Sequence, residues 1–184
     1  MRHFHGKQAS FERIGNGTAF SPARRESGLY STLMLLGMVG LCLGLGAGVG
    51  LLFGPDTAYL ALQKPTWSPP GWLFGPVWTI LYAFIGISAW LVWRERRVPS
   101  GERRTAWTAF AVQAVLNLAW TPIFFGLGSP GLAFVDISLL WLAVVWTTVA
   151  FGRIRPLSGY LMVPYVFWVS FALVLNGTIW LLNR

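Results

Sequence analysis

Charge is scarce in this sequence, and negative charge is scarcer still. Only 11% of the 184 residues are charged, with 14 Lys and Arg against 6 Asp and Glu. A soluble globular domain carries about 25% charged residues. The shortfall here comes from long runs without any charge. Cysteine is nearly absent: Cys42 stands alone, so an intramolecular disulfide is impossible. Both histidines, His3 and His5, precede the first apolar run. The commonest protein ligand of a haem iron is therefore missing from every candidate span. Cys42 and the methionines read as packing residues. No metal site and no resident cofactor are expected. Paired acids and bases for proton-transfer chemistry are also missing from the apolar segments. Short stretches of alternating polarity, the mark of a transmembrane β-barrel, do not occur.

What the chain does have is apolar length. It is 55% hydrophobic with mean hydropathy +0.58. Five runs, Leu29–Phe53, Trp72–Trp93, Thr105–Leu127, Leu132–Phe151 and Leu157–Leu182, approach the roughly 20 residues that cross a bilayer core as helix. The expected fold class is all-α: an integral membrane bundle of five transmembrane helices over residues 29–184. Residues 1–28 are polar and read as a disordered basic tail. They form too long a polar lead, before too long an apolar run, for a cleaved signal peptide.

The net charge of +8 is explained by its placement. Arg2, Lys7, Arg13, Arg24 and Arg25 lie in the tail; Arg94, Arg96, Arg97, Arg103 and Arg104 follow span 2; Arg153 and Arg155 follow span 4. With five crossings these segments share one side, leaving Lys64 and Arg184 on the other. The bias follows the positive-inside rule and places the N-terminus in the cytoplasm. The same arginines suit anionic lipid headgroups. Nucleic acid is not an expected partner.

The spans carry several polar or small-residue patterns. In span 1, Gly40, Gly44 and Gly48 align on one face and allow another helix to approach, within the monomer or between two chains. The spacing does not complete a phosphate-binding Gly-x-Gly-x-x-Gly loop. Lys64 to Tyr82 holds Pro65, Pro69, Pro70 and Pro76 with Trp67, Trp72 and Trp78. Prolines exclude regular helix from its first half, and Gly75-Pro76 marks a helix start or a first-turn kink. The stretch reads either as a stiff lid over an apolar pocket or as an interfacial aromatic belt. In span 3, Gln113, Asn117 and Trp120 share a face, and amides at membrane depth need partners. They serve as interhelical glue or as ligand contacts. Pro122 follows and should bend the helix. Asp136 is the only acid within a span, and a structural partner or snorkelling is expected for it. In span 5, Tyr165, Trp168, Ala172 and Asn176 share a face, with Pro164 adding a bend. Polar faces on spans 2, 3 and 5 should turn inward together.

Three motifs carry a family resemblance. Trp67-Ser-Pro-Pro-Gly-Trp-Leu-Phe-Gly-Pro-Val-Trp-Thr-Ile-Leu-Tyr82, Gln113-Ala-Val-Leu-Asn-Leu-Ala-Trp120 with Pro122-Ile-Phe-Phe125, and Pro164-Tyr-Val-Phe-Trp168 running to Leu175-Asn176 resemble the translocator protein family. It is also known as the tryptophan-rich sensory protein (TspO) or peripheral benzodiazepine receptor family. The resemblance covers roughly residues 30–183 and is of the bacterial type. It implies a five-helix bundle, often dimeric, with a pocket closed by the first loop. Family ligands are porphyrins and haem-related tetrapyrroles, cholesterol in animals, and synthetic drugs. By motif position the implied ligand-binding residues are Trp67, Trp78, Tyr82, Asn117, Trp120, Trp168 and Ala172. Trp78 and Trp168 match the tryptophans tied to light-dependent porphyrin breakdown in bacterial members. Two positions differ: Ala58 replaces a frequent tryptophan, and Gly177 replaces the tyrosine of the animal cholesterol pattern.

The resulting expectation is a tetrapyrrole-binding sensory protein of porphyrin homeostasis in a bacterial inner membrane. Its partners would be a porphyrin or other lipophilic molecule, membrane lipids, and a second copy joined through the glycine-rich first helix. The alternatives are a light-dependent porphyrin-degrading enzyme, with Trp78 and Trp168 as its catalytic residues, and a transporter of lipophilic ligands.

Overall fold

The computed structural model describes residues 22–55 and 57–184. Helix α1 spans Pro22–Leu52, α2 Thr57–Ala61, α3 Phe74–Arg94, α4 Ser100–Thr121, α5 Pro130–Ile154 and α6 Pro156–Leu182. Among the described residues there is no strand, and five helices are long and apolar enough to cross a membrane. The chain is a multi-pass integral membrane protein, with α2 the short helix between the first two crossings. The start of α1 at Pro22 lies ahead of the apolar run beginning at Leu29. Residues 1–21 of the expected disordered tail lie outside the described residues.

Proline and glycine set most of the boundaries. Pro130 and Pro156 each occupy the first turn of their helix, where the missing N–H and the fixed φ are no disadvantage. Gly71–Leu73 forms a single 3-10 turn that leads into α3. After Thr121 the helix widens rather than simply bending. Pro122–Gly126 forms a π turn closed by the Leu127 N–H donating to the Pro122 carbonyl at 2.9 Å. Proline cannot donate to the ladder, and the wider turn is one way to re-satisfy the freed carbonyls. Its effect is to bury Phe124 just beyond the end of α4.

α5 and α6 pair along their length, α4 packs on α5, and α3 sits between α1 and α6. Glycines set the closest approaches. A Cβ on Gly159 of α6 would fall 2.7 Å from the Gly152 Cα of α5, and one on Gly86 of α3 would fall 2.6 Å from the Val39 Cα of α1. The glycines Gly40, Gly44 and Gly48 behave differently. A Cβ at any of them would meet nothing within 4 Å. Close packing of that face within the monomer, one of the two readings of the pattern, does not occur.

The α3–α4 and α5–α6 turns lie at the same end. Arg155 is 3.7 Å from Glu95, and the Arg103 guanidinium donates to the Glu95 carbonyl at 2.7 Å. At the opposite end the Tyr59–Leu73 segment meets the close of α6.

Candidate ligand-binding cavity

Between the helices, at the end opposite those basic turns, lies a cavity of about 530 Å³. That is within the range of roughly 300–1,000 Å³ typical of small-molecule sites. Its lining is mostly apolar and aromatic. Leu43, Gly46 and Ala47 come from α1, Phe74, Trp78, Thr79 and Tyr82 from α3, and Asn117, Trp120 and Thr121 from α4. Phe124 and Phe125 come from the π turn, Ile137 and Leu140 from α5, and Trp168, Ala172 and Asn176 from α6. Gly54, Pro55, Tyr59 and Gly71 of the connecting segment complete it.

The aromatic walls are held by one another. Trp78 stacks on Tyr82 with centroids 5.2 Å apart and meets Tyr165 edge-on at 6.1 Å. Tyr82 in turn lies against Gly46, where a Cβ would collide with its ring. Trp120 stacks on Phe124 at 4.9 Å, and Trp168 meets Phe74 edge-on at 5.7 Å. Offset and edge-on pairs add about 0.5–1.5 kcal/mol each beyond burial, so these rings have little freedom to turn.

The polar groups form two closed sets. Tyr82 Oη donates to Asn117 Oδ1 at 2.7 Å, and Asn117 Nδ2 donates to Tyr165 Oη at 2.9 Å. Tyr165 Oη donates to Gln113 Oε1 at 3.1 Å. One set thus links α3, α4 and α6 by four side chains. In the other, Trp120 Nε1 donates to Asn176 Oδ1 at 2.9 Å, and Asn176 Nδ2 donates to the Pro130 carbonyl at 2.8 Å. Glue and cavity wall are therefore not alternatives for Asn117, which serves as both. Gln113 is 2% exposed and does not line the cavity, so its role is structural.

Three buried polar atoms among the described residues stand outside these sets. Ser31 Oγ, Asp136 Oδ2 and Trp168 Nε1 have no hydrogen-bond partner there. Asp136 does not line the cavity, whereas Trp168 does. Among the described residues no three His, Cys, Asp or Glu side chains group as metal ligands. At the mouth, burial pushes the Tyr59 phenol above its ordinary pKa, and Lys64 Nζ sits 4.3 Å above the Tyr59 ring.

Of the residues implied by the motifs, Trp78, Tyr82, Asn117, Trp120, Trp168 and Ala172 all line this one cavity. Trp67 does not. It is 47% exposed and rests edge-on against Phe171 at 6.0 Å. Trp72 is more exposed still, as the aromatic-belt reading expects. Sequence reasoning missed the wall from α1, because glycine and alanine carry no signal of a binding face. Phe124 and Phe125 belong to one of the motifs, but their aim depends on the π turn, which residue spacing does not reveal.

A five-crossing helical membrane protein with an internal, aromatic-walled cavity is the class that fold and site define. Sequence comparison then places it. The TspO/MBR family profile matches residues 38–181. The tryptophan-rich protein TspO of Chlorobaculum tepidum is 45% identical over 152 residues, covering 79% of this chain and 92% of its own. Protein CrtK of Rhodobacter capsulatus is 43% identical over 135 residues, or 73% and 83% of the two chains. The human translocator protein is 41% identical over 122 residues, or 66% and 72%. The chain belongs to the TspO/MBR family, whose members include membrane proteins named as sensory proteins and as translocators.

Proposed function

We propose that the cavity binds a tetrapyrrole such as protoporphyrin IX, and that the protein is a membrane sensor in porphyrin homeostasis. The observation that carries this reading is the pairing of Trp78 and Trp168 on separate helices of one aromatic-lined cavity. A porphyrin is flat and apolar, so indole faces suit it, with about 0.5–1.5 kcal/mol per aromatic contact beyond burial. The buried, unpartnered Trp168 Nε1 supports the same reading, because a carboxylate or carbonyl oxygen on the ligand satisfies it. The distribution of arginines supports a cytoplasmic N-terminus in a bacterial inner membrane. The uncovered Gly40, Gly44 and Gly48 face supports a homodimer through α1.

Light-dependent degradation of the bound porphyrin is the second reading. It is favoured by the stacking of Trp78 on Tyr82, which puts two oxidisable rings in contact at the cavity wall. Absorbance and tryptophan fluorescence of the purified protein titrated with protoporphyrin IX test the first reading; saturable quenching is expected, and its absence rejects it. The variants Trp78→Phe and Trp168→Phe separate the two. Both keep most of the stacking area but remove the indole. If the protein only binds, affinity falls slightly and no light-dependent bleaching is lost. If it degrades its ligand, bleaching falls far more than affinity. Trp168→Ala should weaken binding by about a few kcal/mol; unchanged affinity in the folded variant takes α6 out of the site.

A further inference from the structure

The segment from Tyr59 to Leu73 crosses the cavity mouth and contributes Tyr59 and Gly71 to its lining. Its middle is fastened to a residue far away in sequence. The Gln63 N–H donates to Asn183 Oδ1 at 2.9 Å, and Asn183 Nδ2 donates back to the Gln63 carbonyl at 2.9 Å. The other hydrogen of the same amide reaches the Ile179 carbonyl at 2.7 Å. The Asn183 side chain therefore copies a peptide group. It pairs with both backbone groups of Gln63, as a neighbouring strand would, while capping the last turn of α6.

Gln63 is tied in turn to the cavity wall. The Leu62 N–H donates to the Tyr59 carbonyl at 3.2 Å, and Lys64 Nζ covers the Tyr59 ring. Tyr59 packs edge-on against Phe125 at 5.0 Å and Phe124 at 6.0 Å. Holding Gln63 thus holds the backbone that follows Tyr59, the residue that lines the mouth.

We propose that Asn183 is a positioning residue, a latch that fastens the Tyr59–Leu73 segment over the cavity and sets the rate at which a ligand enters and leaves. The proposal rests on the cavity being the ligand site. Gln63 and Asn183 are both exposed, so water replaces their hydrogen bonds at small net cost. Such contacts open locally without global unfolding. Bonds of this kind suit a gate better than a structural tie.

The test uses the full chain in lipid nanodiscs, with the variants Asn183→Ala and Asn183→Asp. Asp retains the acceptor for the Gln63 N–H but cannot donate to the Gln63 carbonyl. Protoporphyrin IX is the probe, and stopped-flow tryptophan quenching gives both rate constants. Both association and dissociation should quicken in Asn183→Ala by about fivefold, the worth of one or two exposed hydrogen bonds, and at least as much in Asn183→Asp, whose second carboxylate oxygen faces the Gln63 and Ile179 carbonyls. Faster dissociation at an unchanged association rate overturns the latch, because it makes Asn183 a contributor to the bound state alone. Rates within about twofold of the wild type in both variants also overturn it. A second readout needs no ligand: amide hydrogen exchange across residues 59–70 should accelerate in Asn183→Ala while α4 and α5 exchange as before. If the wild type fails to bind porphyrin, the proposed ligand falls and the exchange measurement still decides the latch. Unchanged exchange rejects it.

Discussion

Tyr165 shows how one atom settles the polar interior. Its hydroxyl accepts from Asn117 Nδ2 and donates to Gln113 Oε1, and its side chain is fully buried. Tyr165→Phe removes both bonds and leaves two amides short of a partner where water does not reach. The expected loss is about 1–2 kcal/mol of stability, at the lower end because polar groups in a membrane find other partners when unfolded. Tyr82→Phe loses a single bond, from a half-buried position, and should cost less. Thermal denaturation of both variants in the same detergent checks the order; a Tyr82→Phe loss equal to or larger than that of Tyr165→Phe contradicts it. Trp168 carries a different message at this scale. Its neighbours Phe74 and Phe171 hold its ring, yet its N–H is left without a partner among the described residues. Packing alone accounts for the ring but not for that buried donor.

Among the elements, Gly159 of α6 and Gly44 of α1 serve opposite ends. Gly159 lets the α6 backbone rest on Gly152 of α5, so Gly159→Leu must push two helices apart. A loss of stability well above about 1–3 kcal/mol is expected, measured as a lowered Tm and reduced folded yield. Gly44 faces away from the monomer, and a side chain there meets nothing. Gly44→Leu should leave the Tm of the monomer unchanged while weakening a dimer. Analytical ultracentrifugation in detergent reads the second effect; an unaltered dimer places this face against lipid. The sequence showed glycines at helical spacing in span 1 but could not tell these two uses apart. A small residue permits an approach, and only the position of the other helix says whether one occurs.

For the whole molecule, the number of crossings and the charge bias predict which ends share a side. The Glu95–Arg155 contact puts the two arginine-bearing turns together at one end, while the Gln63–Asn183 pair marks the other. A reporter fused at Arg184 should therefore lie across the membrane from one inserted between Arg94 and Arg104. Alkaline phosphatase and fluorescent-protein fusions would show this, and both reporters on one side would mean that one apolar helix does not cross.

The five apolar helices were legible in the sequence because length and hydropathy are local properties, and a bilayer leaves helices as the solution for such runs. The inward faces of α3, α4 and α6 were legible for a related reason: Trp78 with Tyr82, Asn117 with Trp120, and Trp168 with Ala172 and Asn176 repeat at helical spacing, and polar groups avoid lipid. Tertiary structure alone decided the rest. It aimed Phe124 through the π turn after Pro122, laid Tyr82 on Gly46, moved Trp67 outside the cavity, and joined Gln63 to Asn183. Each of these depends on which residues of other helices come within reach, and spacing along one helix holds no information about its neighbours.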